Sequence, residues 1–575
     1  MTTQTFPTRK IAPDAADPGL ADVRVTLAGH GFDYLYVRHA WRWVGAILVA
    51  YLIVAFLYVI LTPPWQAPDE PAHYNYIAHI VHTGSLPVLQ LGDYDQTRLG
   101  LLLSFRFPDD LSIAPLRYES YQPPLYYLSA APIYLLTNGN LLTLRLYNVF
   151  LGAVTLLLLY RCLALVFPTK PLISVTAMAF AAMLPMHVAV TAALNNDVLA
   201  ELLLMAALLA LLHWAHDQFY ADLHPVSVRR QRRQLLLMGA LIGLGMLTKI
   251  YAYAMLPITI MVVGLIIWLQ PRVDTARAIR PDRVHFWLAV RRVFWVIIPA
   301  LLLPLPMWIR NIHNYGAWDF MGLQWHDQVV VGQPRTADWI AQFGWVAYGE
   351  RAFSFTFKSF WGVFGWMGVF MDERVYTALL IFSGVIFLGL LWATVRLISG
   401  PPDTDMDRYQ VGVQVLFGLI LLAVFASYLW YNVKFVQHQG RYFFWGLLPI
   451  SAMAALGWRE VLQPIQGLIT GFLVGVLAVS LALAGYLTGD MAKWPVILLA
   501  LTAAMLLVQP VLLAGADPIT MGWLPSPLQR VAGRPWVKRI LGWLRVMAWA
   551  VPFALLFALN LAIPFAYIIP QLVGE

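Results

Sequence analysis

Long apolar runs separated by short polar breaks make up most of this chain. A helix needs about 20 apolar residues to span a bilayer, and by that measure the pattern predicts about thirteen spans. Their cores fall at 41–62, 143–167, 171–193, 196–216, 235–249, 251–270, 293–309, 375–398, 411–430, 443–458, 465–487, 494–515 and 540–565. The run 235–269 is too long for one span and carries Lys249 near its middle, so a tight helical hairpin is expected there. Two further stretches read as helices that do not cross. One follows Glu70, with Tyr74, Ile77, Ala78 and Val81 at helical spacing. The other, 124–136, is too short to span. Both are expected to lie along the membrane surface. The expected fold class is all-α: a polytopic membrane protein with interfacial helices in its first long loop.

Composition supports this reading. Of 575 residues, 60% are hydrophobic and 12% charged, against about a quarter charged in soluble domains. The 23 tryptophans suit interfacial belts. A net charge of +8 raises the question of nucleic acid. The arginines, however, sit in short loops between apolar runs, a pattern of membrane topology, so no nucleic-acid partner is expected. The single cysteine, Cys162, excludes a disulfide framework and a cysteine metal cluster. Residues 1–37 are polar and mixed, without the apolar core of a cleavable signal, so 1–40 is expected to be a cytoplasmic segment.

The basic loops orient the chain. "HPVSVRRQRRQ" (from His224), "QPRVDTARAIRPDRVHFWLAVRR" (from Gln270) and "LQRVAGRPWVKR" (from Leu528) fall on one side when the spans alternate. That side is the cytoplasm. Two long loops, 63–142 and 310–374, then face outward from a transmembrane unit of 41–460, followed by C-terminal helices in 461–575. The expectation is a multi-pass plasma-membrane protein with its active site on the extracytoplasmic face. No internal repeat is visible, so an inverted-repeat transporter gains no support.

Candidate chemistry collects on the outward side. "PPWQAPDEPAHYNYI" (from Pro63) presents Asp69 and Glu70 just beyond the first span, followed by His73. Four cations, Lys249, Arg310, Lys434 and Arg441, lie on the same side, against the basic bias of the other. Cations that close to lipid suit an anionic headgroup such as a phosphate. Each feature also has an ordinary reading. An Asp-Glu pair after a helix is commonly solvated loop, Lys249 can snorkel from a hairpin tip, and Arg310 can anchor a span end. Asn195, Asn196 and Asp197 can cap the next helix. His73, His79 and His82 do not share one helical face, so zinc is not expected.

Several motifs together resemble the GT-C superfamily of membrane glycosyltransferases, which use polyprenyl-phosphate or polyprenyl-diphosphate sugars. "PDEPAHY" (from Pro68) is similar to the acidic motif in the first outer loop of protein O-mannosyltransferases. "QPPLYYLSAAP" (from Gln122) resembles the Pro-Pro-Leu-Tyr-Tyr motif of the lipid A aminoarabinose transferase group, and "RLYNVFLGAVTLLLLY" (from Arg145) is similar to the span after it. "GLGMLTKIYA" (from Gly243) resembles a Gly-Leu-x-x-Leu-Thr-Lys segment of that group. "HQGRYFFWGLLP" (from His438) is more similar to a Gln-Gly-Arg-Tyr segment of a further bacterial membrane family. The resemblance runs over roughly residues 40 to 460.

The resemblance implies a GT-C fold and transfer of a hexosyl or pentosyl group, with inversion, from the carrier to an acceptor hydroxyl. It implies Asp69 as general base, with Glu70 binding substrate or positioning its neighbour. Physical chemistry is compatible with this. Phosphate is already a good leaving group, and adjacent residues, about 3.8 Å apart at Cα, cannot flank a sugar as glycosidase carboxylates do. Lys249, Arg310 and Arg441 are the candidates for the donor phosphate. His73, Tyr74, Gln122, Tyr126, Tyr127, Asp197, Gln439 and Tyr442 are the candidates for other substrate contacts. A glycan, lipid or protein can each supply the acceptor hydroxyl, and a divalent Mg or Mn cofactor stays open. The rival reading is a polytopic transporter or flippase of lipid-linked sugars. Transporters place ionisable groups at mid-membrane depth, whereas here they gather at span ends.

Overall fold

The computed structural model describes residues 40–221, 225–268, 283–399, 408–513, 522 and 525–573. The expected cytoplasmic segment 1–40 lies almost wholly outside the described residues. Helix α1 (Ala40–Leu61) is a 22-residue apolar run, about 33 Å long at 1.5 Å per residue and so matched to a bilayer core of about 30 Å. The loop after it holds the two surface helices, α2 (Glu70–Thr83) and α4 (Leu125–Thr137), with a short α3 (Gln96–Ser104) between them. Pro71 sits in the first turn of α2 and Pro124 just ahead of α4, where a missing N–H costs nothing.

Then follow α5 (Leu141–Val166), α6 (Pro171–Met183), α7 (Pro185–Thr191), α8 (Asp197–Phe219), α9 (Val228–Met246) and α10 (Met255–Trp268). Next come α11 (Arg283–Leu302), α12 (Leu305–Tyr315), α13 (Leu323–Val329) and α14 (Thr336–Trp361). A small hairpin, β1 (Val363–Phe364) with β2 (Val369–Phe370), precedes α15 (Glu373–Ser399) and α16 (Arg408–Lys434). Then come α17 (Leu447–Val461), α18 (Pro464–Thr488), α19 (Lys493–Leu513), α20 (Ser526–Ala532) and α21 (Pro535–Ile563), and the described chain ends with a π-helical turn (Pro564–Ile568) and a short α22 (Ile569–Leu572).

Within the described residues, each of the thirteen expected cores falls on helix or on a bent helix pair; 269–270 and 514–515, the ends of two of them, lie outside the described residues. Among the described residues, eight helices are long and apolar enough to cross a membrane, or up to ten with the bent pairs. The difference has local causes. The 15-residue α17 is short, and α9 opens with Arg229, Arg230, Arg232 and Arg233.

The most buried spans are α5 and α8, with 61% and 72% of their apolar windows covered, against 17% for α15. They form the centre, and helices with lipid-like outer faces surround them. The α6–α7 pair bends by 67° because Leu184, which precedes Pro185, is pushed to an extended conformation. The break strands a carbonyl, at Met183, which accepts from Nδ2 of Asn560 on α21 at 2.9 Å. The C-terminal helix thus repairs a defect in the core. Helices α15 and α17 meet at Gly389 and Gly457, where an added Cβ on Gly389 would stand 2.0 Å from the Gly457 carbonyl oxygen.

Candidate active site

Four breaks in the helical pattern meet on one face: the loop after α1, the α7–α8 turn, the α9–α10 hairpin tip and the segment after α16. Hydrogen bonds tie them together: Glu70 to the backbone of Leu194, Asn196 to that of Thr248, and Arg441 to Asp69. Between them lies a cavity of about 720 Å³, partly covered by α3, α13 and the 333–334 segment.

Asp69 precedes α2 with a φ of 66°, a left-handed conformation that few non-glycine residues adopt. Its side chain faces the cavity, 29% exposed. Oδ1 accepts from the Tyr118 hydroxyl at 3.0 Å, and Oδ2 accepts from Arg441 Nη2 at 3.1 Å. Burial pushes the carboxyl up, but the Arg441 guanidinium and the Tyr118 hydroxyl hold it below the usual carboxylate range. Glu70 differs in every respect. It is fully buried, and its oxygens accept from Arg145 Nε (2.8 Å) and Nη2 (2.6 Å), and from the backbone of Leu194 (3.1 Å) and Trp65 (3.0 Å). Nη1 of Arg145 donates to the carbonyls of Val59 and Thr62, and Nη2 also donates to that of Pro63, at and just beyond the end of α1. Glu70 and Arg145 therefore clamp the end of α1 to α5 and fix where Asp69 begins.

Two of the three expected phosphate ligands line the cavity. Lys249 Nζ donates to Asn196 Oδ1 at 2.7 Å and lies 3.3 Å from Asp197 Oδ1. Arg441 Nε donates to Gln439 Oε1 at 2.6 Å. Arg310 is not brought to them. Its guanidinium donates to the carbonyl oxygens of Leu86 and Pro87, and it does not line the cavity. Lys434 pairs with Asp327 at 2.7 Å, also away from the lining. The glycine of "QGRY" is needed for close approach, not for a tight turn. A Cβ on Gly440 would stand 2.2 Å from the backbone nitrogen of Phe360 in α14.

The expected substrate contacts divide in the same way. Gln122, Asp197, Gln439 and Tyr442 line the cavity. His73, Tyr126 and Tyr127 lie behind it as a buried aromatic scaffold, with Tyr74 half-buried beside them. His73 Nδ1 and the Tyr127 hydroxyl are 2.9 Å apart, and Tyr127 stacks on Tyr76 at 3.7 Å. Tyr126 donates to Asn148, and Tyr74 to the Gly139 carbonyl. Burial, with Lys249 nearby, pushes His73 down to about 3, so it is neutral near pH 7. Among the described residues, no three His, Cys, Asp or Glu side chains converge in a way that could hold a metal ion.

Four residues that matter to the site are absent from the sequence expectations: Tyr118, Glu119, Arg145 and Asn196. Arg145 left a signal. A lone arginine in an apolar run requires a buried counter-charge. Glu119 and Tyr118 left only their place in "YESYQPP", and Asn196 left only its helix-start position.

Residues 112–314 match the family model described as dolichyl-phosphate-mannose-protein mannosyltransferase. No curated protein matches the chain. Among solved structures, the chain is similar to ArnT from Cupriavidus metallidurans bound to undecaprenyl phosphate. That similarity has 15% identity and a TM-score of 0.47, and covers 93% of this chain and 78% of that one. It is also similar to the archaeal oligosaccharyltransferase AglB from Archaeoglobus fulgidus in complex with an inhibitory peptide and a dolichol-phosphate. There the identity is 14% and the TM-score 0.40, with 85% of this chain and 61% of that one covered. The match to that family model spans residues 112–314, which run from the loop after α3 to α12.

Proposed function

We propose that this protein transfers a sugar from a polyprenyl-phosphate carrier to an acceptor hydroxyl, with inversion, in the cavity where Asp69 faces Lys249 and Arg441. The observation that carries the reading is the convergence of one cavity-facing carboxylate and two cations from three distant segments. The family description of the 112–314 region supports the carrier class.

The chemistry follows from the charges. Arg441 is paired with Asp69. An arriving phosphate competes for that guanidinium, and Lys249, 18% exposed, adds a second charge. Arg441, shared between the phosphate and Asp69, keeps the Asp69 carboxylate ionised. That carboxylate then engages the acceptor hydroxyl as the oxygen attacks the anomeric carbon, and the departing phosphate carries away the bonding electrons with two cations beside it. Glu70, with every oxygen already engaged, positions Asp69 and does not meet substrate. The site opens on the extracytoplasmic face of the plasma membrane in this reading, as the arginine bias implies.

The deciding experiment is mass spectrometry of lipid that co-purifies with the protein, followed by transfer assays from that donor and NMR of the product's anomeric carbon. A polyprenyl-phosphate sugar and an inverted product are expected. Retained configuration would exclude single displacement.

A further inference from the structure

Besides Asp69, the cavity holds a carboxyl that the transfer just described does not use. Glu119 lies in the 3-10 turn Tyr118–Tyr121, beside the residue whose hydroxyl binds Asp69. It lines the cavity and is 8% exposed, and its Oε2 is buried without a hydrogen-bond partner. Buried carboxylates in folded proteins are normally satisfied. Glu70, next to Asp69 in the chain but behind the cavity, accepts four hydrogen bonds. An acid kept for structure alone resembles Glu70; Glu119 does not.

We propose that Glu119 is a second carboxyl of the transfer reaction, the group on which the acceptor hydroxyl's proton comes to rest. The inference rests on the glycosyl-transfer reading. As the acceptor oxygen bonds to the anomeric carbon, its O–H bond breaks. The bond from that carbon to the phosphate oxygen breaks too, its electron pair leaving with the polyprenyl phosphate. The proton passes to the Glu119 carboxylate, which becomes the neutral acid and later loses the proton to water. Asp69 orients the hydroxyl and Glu119 keeps the proton.

The division follows from the surroundings. Both Asp69 oxygens already accept hydrogen bonds, and Arg441 holds that carboxyl low. Glu119 has an oxygen to spare. Burial, then the neighbouring Asp69 charge, lift it to about 7, with Lys249 pulling the other way. A proton acceptor works best when its pKa lies near the working pH. Asp197 also raises it, and the phenols of Tyr118, Tyr121 and Tyr127 surround it, all un-ionised in this range. His326 of α13 packs on Tyr121 and is pushed down to about 4 by burial, while His73 behind Tyr127 is lower still. Neither histidine titrates where Glu119 does.

The test uses the full-length protein in liposomes with dolichyl-phosphate mannose as donor probe and water as acceptor. Release of dolichyl phosphate is followed against pH, and the carboxyl C=O infrared band is titrated in parallel. The intact protein is expected to lose a carboxyl band between roughly pH 6 and 8, with release rising over the same range. In Glu119→Gln that band should be missing, the rise flattened and release slowed by about 10²-fold, while donor binding stays unchanged. Glu119→Asp should restore a pH-dependent rise, separating proton transfer from packing. An undiminished rise in Glu119→Gln, or a donor affinity that falls as far as the rate, overturns the inference and leaves the transfer reading standing. No release by the intact protein at any pH sinks both.

Discussion

Arg441 and Asp69 are separated by 372 positions in the chain, yet the guanidinium stands 3.1 Å from the carboxylate. One comes from the segment after α16 and the other from the loop after α1. Both line the cavity, and the guanidinium holds the carboxyl below its usual range. Breaking a partly buried pair of this kind changes chemistry and architecture together, so the predictions separate the two.

Asp69→Asn keeps the shape of the side chain and its hydrogen bond from Tyr118 but removes the charge. The variant should fold and bind donor, and lose about 10²–10⁴-fold in turnover. Single-turnover assays with radiolabelled donor sugar check this. Unchanged turnover in a folded Asp69→Asn protein would show that the carboxylate has no part in the reaction.

Cations in the cavity should matter to the donor, and those outside it should not. Lys249→Ala and Arg441→Ala are each expected to weaken binding of the lipid phosphate by about 1.5–3 kcal/mol, the usual worth of a charge-assisted hydrogen bond. Arg310→Ala should leave that affinity alone, because its guanidinium is spent on the Leu86 and Pro87 carbonyls. Titration calorimetry with a short-chain polyprenyl phosphate distinguishes the three.

Glu70 and Arg145 are 0% and 3% exposed, so removing either partner leaves a buried charge unpaired. Arg145→Met should cost about 3–5 kcal/mol of stability and lower the melting temperature in detergent. Glu70→Gln should also destabilise the protein. Because Glu70 holds the start of α2, its activity loss should follow the loss of folded protein. A fully stable Glu70→Gln enzyme without activity would give Glu70 a direct role.

The orientation implied by the arginine bias can be read with thiol reagents, since the native Cys162 is buried. Cysteine at Leu91, 71% exposed in the loop after α2, should label in intact cells. Cysteine at the exposed Arg232, in the arginine-rich start of α9, should label only after permeabilisation. Labelling at Arg232 but not at Leu91 in intact cells would reverse the topology and move the site to the other face.

Much of the architecture was legible along the chain because local rules govern it. The helical period after Glu70 gave α2, the short run after Pro124 gave α4, and the basic residue inside one long apolar run marked the turn between α9 and α10. The bend at Leu184–Pro185 was equally local in cause, but nothing in the sequence said that Asn560 would satisfy the carbonyl it frees. The carboxylate and the two cations that line the cavity were nameable because a charge beside an apolar run is costly and therefore conspicuous.

The sequence by itself determined that this is an all-helical membrane protein with its polar chemistry at span ends, since length, apolarity and period are properties of neighbouring residues. Only the tertiary structure decided which of those polar residues meet. It sent Arg310 to a loop carbonyl and Arg441 to Asp69, put Glu70 behind the site and Glu119 in it, and made Arg145 the clamp between α1 and α5. Those choices depend on the close approach of segments hundreds of residues apart. In a low-dielectric interior each charge must find whatever partner the fold delivers, and no pattern of near neighbours records which partner that is.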